Sequence, residues 1–434
     1  MSAPMPVRAN TLWSDAVAQL SLNEPALLST RPALSHRRRR GYNDDMADSR
    51  ASVELLRDDD GLLRWTYHAP SLSHSSSKRS YRAYSLRPER VVERFRFNEL
   101  GRNEVTQKLI ELDDWLTPGK GMKRWQGGAL IDDAQPSIKT GRVLLLVHGT
   151  FSESLMFFKE LAATLEGQAL LKEWQAKYAT ILAFNHPTLS VGAWSNAIDL
   201  ARALRAVTAP IDVVCHSRGG LVVSWLLRLV PVPIERVVFV ASPLVGTSLA
   251  APDKLRAALD LLANYAEVTA AISTAAAPAV PLAGAVAGLA KILGKTLRLG
   301  SGLPIVDAAI GLVPGLATQQ LVGNNLDIQQ LFADEWLRKP SMSAIGVSFR
   351  PDESREPLWK FWRRFSNLAD QAKFAAADLV FPGANDLVVD VNSMFRLGEK
   401  QGIDFKDLGE SPTTHHTSYF RDAKVLAHLQ LKLA

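Results

Sequence analysis

Residues 211–227 read IDVVCHSRGGLVVSWLL. One apolar run stops at Cys215-His216-Ser217-Arg218-Gly219-Gly220, and a second apolar run follows at once. A serine hydroxyl is a weak nucleophile until a neighbouring base takes its proton, so the surroundings decide whether Ser217 has any chemistry. A strand that feeds a helix through a very tight turn lifts the turn residue above the carboxyl edge of its sheet. The flanking positions must then be small, because strand and helix crowd each other. The order small-x-Ser-x-Gly meets that demand, with Cys215 where glycine is usual. The same residues also fit a plain βα turn in which a Ser-Gly pair caps a helix. They do not fit a phosphate-binding loop, since no Lys-Ser/Thr pair closes the run.

The elements that must position Ser217 are legible around it. RVLLLVHGT, YATILAFNH, IDVVCHS, RVVFVASP and, later, SAIGVSFR are β-branched or aliphatic runs that predict strands. Between them SLMFFKELAATLEG, NAIDLARALRAV and GGLVVSWLLRLV predict helices, and SYFRDAKVLAHLQLKLA predicts a closing one. Continuous apolar strands alternating with helices indicate an α/β domain whose mostly parallel central sheet is covered by helices on both faces.

Four motifs, in this order, carry a resemblance over residues 139–434: LLLVHGTF from Leu144, the turn around Ser217, FPGANDLVVDVNSM from Phe381 and TTHHTSYF from Thr413. Together they resemble the α/β-hydrolase superfamily, and its lipase-like bacterial members in particular. The resemblance implies an α/β-hydrolase fold in which Ser217 is the nucleophile, Asp386 the acid and His416 the general base. A His-x-x-Tyr-Phe signature selects His416 over its neighbour His415, which stays the fallback base; Asp390 is the fallback acid. It also implies an oxyanion hole made by the backbone N–H groups of Thr150 and Arg218, with His148 supporting the loop. His186, in FNHPTLSVGAW, and Thr247, in ASPLVGTSLA, are expected along the cleft. The activity implied is that of a serine esterase or lipase acting on a small-molecule or lipid ester with a hydrophobic acyl chain, without a cofactor. Two rival expectations share the fold: a lipase effector directed at phospholipids, and a non-catalytic protein that binds a membrane or a partner.

The rest of the chain adds less. Residues 1–50 predict a flexible or loosely docked tail, and 51–138 a mixed segment. Within the latter, VELLRDDDGLLRWTYH reads as a hairpin, VVERFRFNEL as a strand and NEVTQKLIELDDWL as an amphipathic helix. Residues 250–340, rich in Ala, Gly, Leu and Pro, predict an apolar helical lid or cap. Val268 to Ala290 carry no charge, but the stretch is rich in alanine, and Pro278 and Pro281 interrupt it, which argues against a membrane span. Net charge is +6, and Arg37 to Arg40 form a basic run suited to peripheral contact with an anionic membrane rather than to specific nucleic-acid recognition. A single cysteine rules out an intrachain disulfide. The N-terminus lacks a basic stretch followed by a long apolar one, so a cytoplasmic location is expected. His36, His68 and His74 are scattered, and no set has metal-ligand spacing.

Overall fold

The computed structural model describes residues 51–57, 63–68, 90–97, 102–250, 255–272, 279–296, 313–321, 323, 325–333, 335–350, 383–397 and 403–434. The tail with Arg37 to Arg40, His36, His74, the Asp58-to-Gly61 turn and parts of the apolar region lie outside them. The chain divides into two units, 1–111 with 256–309, and 112–255 with 310–434.

In the first unit, β1 (Ala51–Arg57) pairs antiparallel with β2 (Leu63–His68) on one side and with β3 (Arg90–Phe97) on the other. The expected hairpin and strand are therefore present, as one three-stranded sheet. Helix α1 (Arg102–Leu116) follows, its residues through Glu111 in this unit and the remainder in the second; Val105, Leu109, Leu112 and Leu116 are buried.

The second unit holds an eight-stranded sheet. Its strands are β4 (Gly121–Gln126), β5 (Ala129–Asp132), β6 (Val143–Val147), β7 (Thr180–Asn185), β8 (Ile211–His216), β9 (Ile234–Val240), β10 (Ser341–Phe349) and β11 (Asp404–Ser411). They lie in the order β11-β10-β9-β8-β6-β7-β4-β5. Pairing is parallel from β11 through β7 and antiparallel for β4 with β7 and β5 with β4. This sheet begins at Gly121, N-terminal of the boundary at 139 that the sequence suggested. The hairpin β4–β5 escaped the sequence reading because it is an edge element: it turns at Gly127-Gly128, both with positive φ, and only Met122 and Lys123 of its strands are buried.

Alternation along β6 shows why the run VLLLV is apolar throughout. Val143, Leu145 and Val147 join one core with helices α4 (Ala193–Leu204) and α5 (Gly219–Leu229). Leu144 and Leu146 join a second core on the opposite face with α2 (Leu155–Ala162), α3 (Leu165–Lys177) and the closing helix α11 (Ala423–Leu433). A strand buried on both faces has no polar position to alternate with. The stretch expected as one helix over 154–167 is two, because Thr164 takes an extended conformation and its hydroxyl caps α3 by accepting from Gly167 N at 3.1 Å.

The apolar region over 250–340 is not one body. Its helices α6 (Leu255–Ile272) and α7 (Ala279–Thr296) fall, but for Leu255, in the first unit. Asn264 of α6 ties to the backbone of β2, accepting from Leu63 N at 3.0 Å and donating to Leu63 O at 2.9 Å. Helices α8 (Pro314–Ala317) and α9 (Leu326–Ala333) belong to the second unit, as does the short α10 (Val391–Met394). Among the described residues no helix is long and apolar enough to cross a membrane, and no group of His, Cys, Asp or Glu has the geometry to hold a metal ion.

Candidate active site

Strand β8 enters α5 through two residues only, Ser217 and Arg218. Ser217 has φ 53°, in the left-handed region that a residue with a Cβ avoids. Such a conformation costs on the order of 1–3 kcal/mol and persists only where the surroundings over-determine it. Here they do. Ser217 N donates to Val240 O of the adjacent strand at 2.9 Å. A Cβ on Gly219 would stand 2.3 Å from Val147 O, and one on Gly220 would stand 2.3 Å from Ser242 Oγ. Cys215, fully buried, fits the first small position and points its thiol at Val238 O, 3.6 Å away.

Two distant loops meet this turn. His416 Nε2 lies 2.8 Å from Ser217 Oγ, and its Nδ1 lies 2.8 Å from Asp386 Oδ2. A carboxylate only accepts, so Nδ1 carries the proton and Nε2 is left free to accept from the serine hydroxyl. Asp386 is fully buried, and its oxygens are saturated: Oδ1 accepts from Val388 N at 3.1 Å and Val389 N at 2.8 Å, while Oδ2 also accepts from Tyr419 Oη at 3.1 Å. The His416 main chain is fixed from both sides. Its N–H donates to Asp386 O at 3.1 Å, and its carbonyl accepts from His216 Nε2 at 2.9 Å. Thr247 braces the loop that carries Asp386 by donating to Val388 O at 2.6 Å.

The fallback residues go elsewhere. The His415 ring stands edge-on to Phe349, with centroids 5.6 Å apart. The Asp390 carboxylate accepts from Ser248 N at 2.8 Å and Ser248 Oγ at 3.0 Å, and burial raises its pKa. Of the two pairs of candidates, the structure brings His416 and Asp386 to Ser217.

On the other side of the turn the chain after β6 passes directly over the serine. A Cβ on Gly149 would come within 2.5 Å of Ser217 Cβ, so only glycine fits. Among the described residues, the backbone N–H groups of Thr150 and Arg218 donate to no protein acceptor. The Thr150 hydroxyl donates to Gln319 Oε1 at 3.1 Å.

Beneath these two residues lies a buried polar network. His148 and His186 stack with ring centroids 4.2 Å apart. His186 N donates to His148 Nε2 at 3.1 Å, and His186 Nε2 donates to His148 O at 3.0 Å. His186 Nδ1 accepts from Asn196 Nδ2 and Arg218 Nη1, each at 3.2 Å. Burial lowers the pKa of His148 to about 4 and that of His186 well below the ordinary value, so both rings are neutral acceptors and donors at pH 7. Burial also drives the wholly buried Arg218 guanidinium down to about 10, against the opposing charge of Asp113; it remains a cation. His148 and His186 thus support the loop rather than face Ser217. His216, Tyr419, Gln319 and Asp113 escaped the sequence reading. Only Tyr419 carried a signal, as the Tyr of His-x-x-Tyr-Phe.

Comparison with known proteins places the chain. A family model described as a domain of unknown function, DUF7379, matches residues 117–434. The chain belongs to the DUF7379 family. No curated protein matches its sequence. Among solved structures, this DUF7379 protein is similar to the mature lipase BlEst2 of Bacillus licheniformis, at 15% identity and TM-score 0.38, over 71% of this chain and 99% of that one. It is similar also to lipase 1 of Pelosinus fermentans, at 15% identity and TM-score 0.39, over 68% and 98%. A third is the Cif epoxide hydrolase of Acinetobacter nosocomialis, at 14% identity and TM-score 0.38, over 78% and 99%. The DUF7379 region has an α/β architecture, a mostly parallel sheet covered by helices on both faces with the turn of Ser217 at its carboxyl edge.

Proposed function

We propose that this protein is a serine hydrolase that cleaves carboxylic esters through Ser217, His416 and Asp386. The observation that carries the reading is the unbroken hydrogen-bonded series from Ser217 Oγ through the His416 ring to Asp386, with 2.8 Å at both steps. That is the reach a general base needs to take the serine proton. Ser217 Oγ attacks the ester carbonyl as its proton passes to His416 Nε2, and the imidazolium is stabilised by the Asp386 carboxylate. The tetrahedral oxyanion is held by the Thr150 and Arg218 N–H groups; loss of one such donor typically costs roughly 10²–10³ in rate. His416 returns the proton to the leaving alcohol, and the acyl-serine remains. Water, deprotonated by the same His416, then releases the acid and restores Ser217.

The substrate class proposed is an ester with a hydrophobic acyl chain, as the resemblance of the four motifs to lipase-like enzymes implies. The test is a series of p-nitrophenyl esters of increasing acyl length, run on wild type and Ser217→Ala. Turnover that rises with chain length and disappears in Ser217→Ala is expected. Wild type as inert as Ser217→Ala on every ester would overturn the reading in favour of a non-catalytic binding role.

A further inference from the structure

Asp113, near the end of α1, lies outside the matched family region and is fully buried. Its carboxylate accepts six contacts, all from three consecutive residues. Oδ1 takes Thr188 N at 2.8 Å, Leu189 N at 3.0 Å and Thr188 Oγ1 at 3.3 Å. Oδ2 takes Ser190 Oγ at 2.6 Å, Ser190 N at 2.7 Å and Leu189 N at 3.2 Å. A buried carboxylate turned wholly toward donors clamps the loop it faces. Both neighbours of that loop matter. Its carbonyls take the Arg218 guanidinium, Val191 O at 2.7 Å and Pro187 O at 3.5 Å. Its Thr188 Oγ1 accepts from Phe151 N at 3.4 Å, directly after Thr150. Phe151 has φ 57°, so this stretch holds its shape under strain.

We propose that Asp113 is a positioning residue for the oxyanion hole. Through the 187–191 loop one carboxylate fixes the two separate chain segments that carry the Arg218 and Thr150 N–H groups, and its charge offsets the buried guanidinium of Arg218. The proposal rests on the hydrolase reading above. It differs from plain structural support in what it predicts: a fault at 113 is felt in the transition state, where the oxyanion forms, more than in substrate binding.

Asparagine at 113 keeps the shape but aims an NH2 group at backbone N–H donors, so it cannot satisfy the loop. The test is kcat per active serine, titrated to completion with a fluorophosphonate, together with KM and inhibition by a trifluoromethyl ketone that mimics the tetrahedral state. In Asp113→Asn, kcat per titrated site is expected to fall at least about tenfold, inhibitor affinity to fall in step, and KM to change less than about threefold. Thr188→Val, which leaves Asp113 in place, should reproduce a smaller loss in the same direction, and Thr188→Ser should restore most of it. Should Asp113→Asn not fold, the Thr188 pair decides alone. Unchanged kcat per titrated site and unchanged inhibition in these variants would make Asp113 a stabiliser of the fold only, and leave the hydrolase reading standing. Wild type that neither labels nor turns over esters would remove both.

Discussion

His216, the residue before the serine, donates its ring Nε2–H to the main-chain carbonyl of His416 at 2.9 Å. The turn that carries the proposed nucleophile therefore holds the loop that carries the proposed base, without any intervening group. The two rings sit 4.9 Å apart, tilted by 42°. Burial and the nearby His416 both lower the His216 pKa well below its ordinary value, which keeps the ring a neutral donor.

His216→Phe removes that donor while filling the same space. A displacement of about 1 Å at a reacting group costs on the order of 10²-fold. The expected outcome is a fall in kcat of about tenfold to a hundredfold, with folding retained, and a smaller fall for His216→Gln, which keeps an N–H donor. Kinetics on a p-nitrophenyl ester checks this; full activity in His216→Phe would mean that the base loop is held by its other contacts.

Tyr419 offers a different readout. Its hydroxyl donates to Asp386 Oδ2 at 3.1 Å and accepts from Val347 N at 3.1 Å. Tyr419→Phe leaves Val347 N without an acceptor inside the protein, at a cost of about 1–3 kcal/mol. Asp386 keeps its bonds from Val388, Val389 and His416, so kcat should fall only a few-fold. Urea unfolding and ester kinetics on the same preparation separate the two effects. A large loss of kcat with no loss of stability would contradict this division.

Stability should depend on pH in a definite direction. His148, depressed by burial from 6.5 to about 4, binds a proton more readily in the unfolded chain than in the folded one. Its contribution is complete above about pH 6.5 and is lost as pH falls toward 4, on the order of 3 kcal/mol. His186 and His216, lowered by the same cause, act with the same sign. Urea midpoints measured from pH 8 to pH 4.5 should drop steadily below pH 6.5, less steeply in His148→Gln. A flat profile would mean that these rings are protonated when folded.

What the sequence disclosed follows from what leaves a pattern. Strands buried on both faces, such as Val143–Val147, are apolar runs, and a turn crowded by Val147 O and Ser242 must carry small residues. Edge strands leave no such mark: β11, DFKDLGES, is exposed along most of its length and has no apolar run. Partners fixed by tertiary contact leave none either. Asp113 sits in the acidic pair of IELDDWL, beside Asp114, which pairs with Lys120 on the surface, and only the fold tells the two apart. The resemblance pointed to His416, whose ring Nε2 lies 2.8 Å from Ser217 Oγ; the bonds from His216 to the His416 carbonyl and from Tyr419 to Asp386 leave no mark in the sequence.

The central claim is that His416 and Asp386 make the Ser217 hydroxyl nucleophilic. It is tested most directly by treating the full chain with a fluorophosphonate and locating the adduct by peptide mass spectrometry. The account predicts one modified residue, Ser217, with labelling slowed by several orders of magnitude in His416→Ala and absent in Ser217→Ala. Folded protein that stays unlabelled, or that labels equally fast without His416, would contradict it.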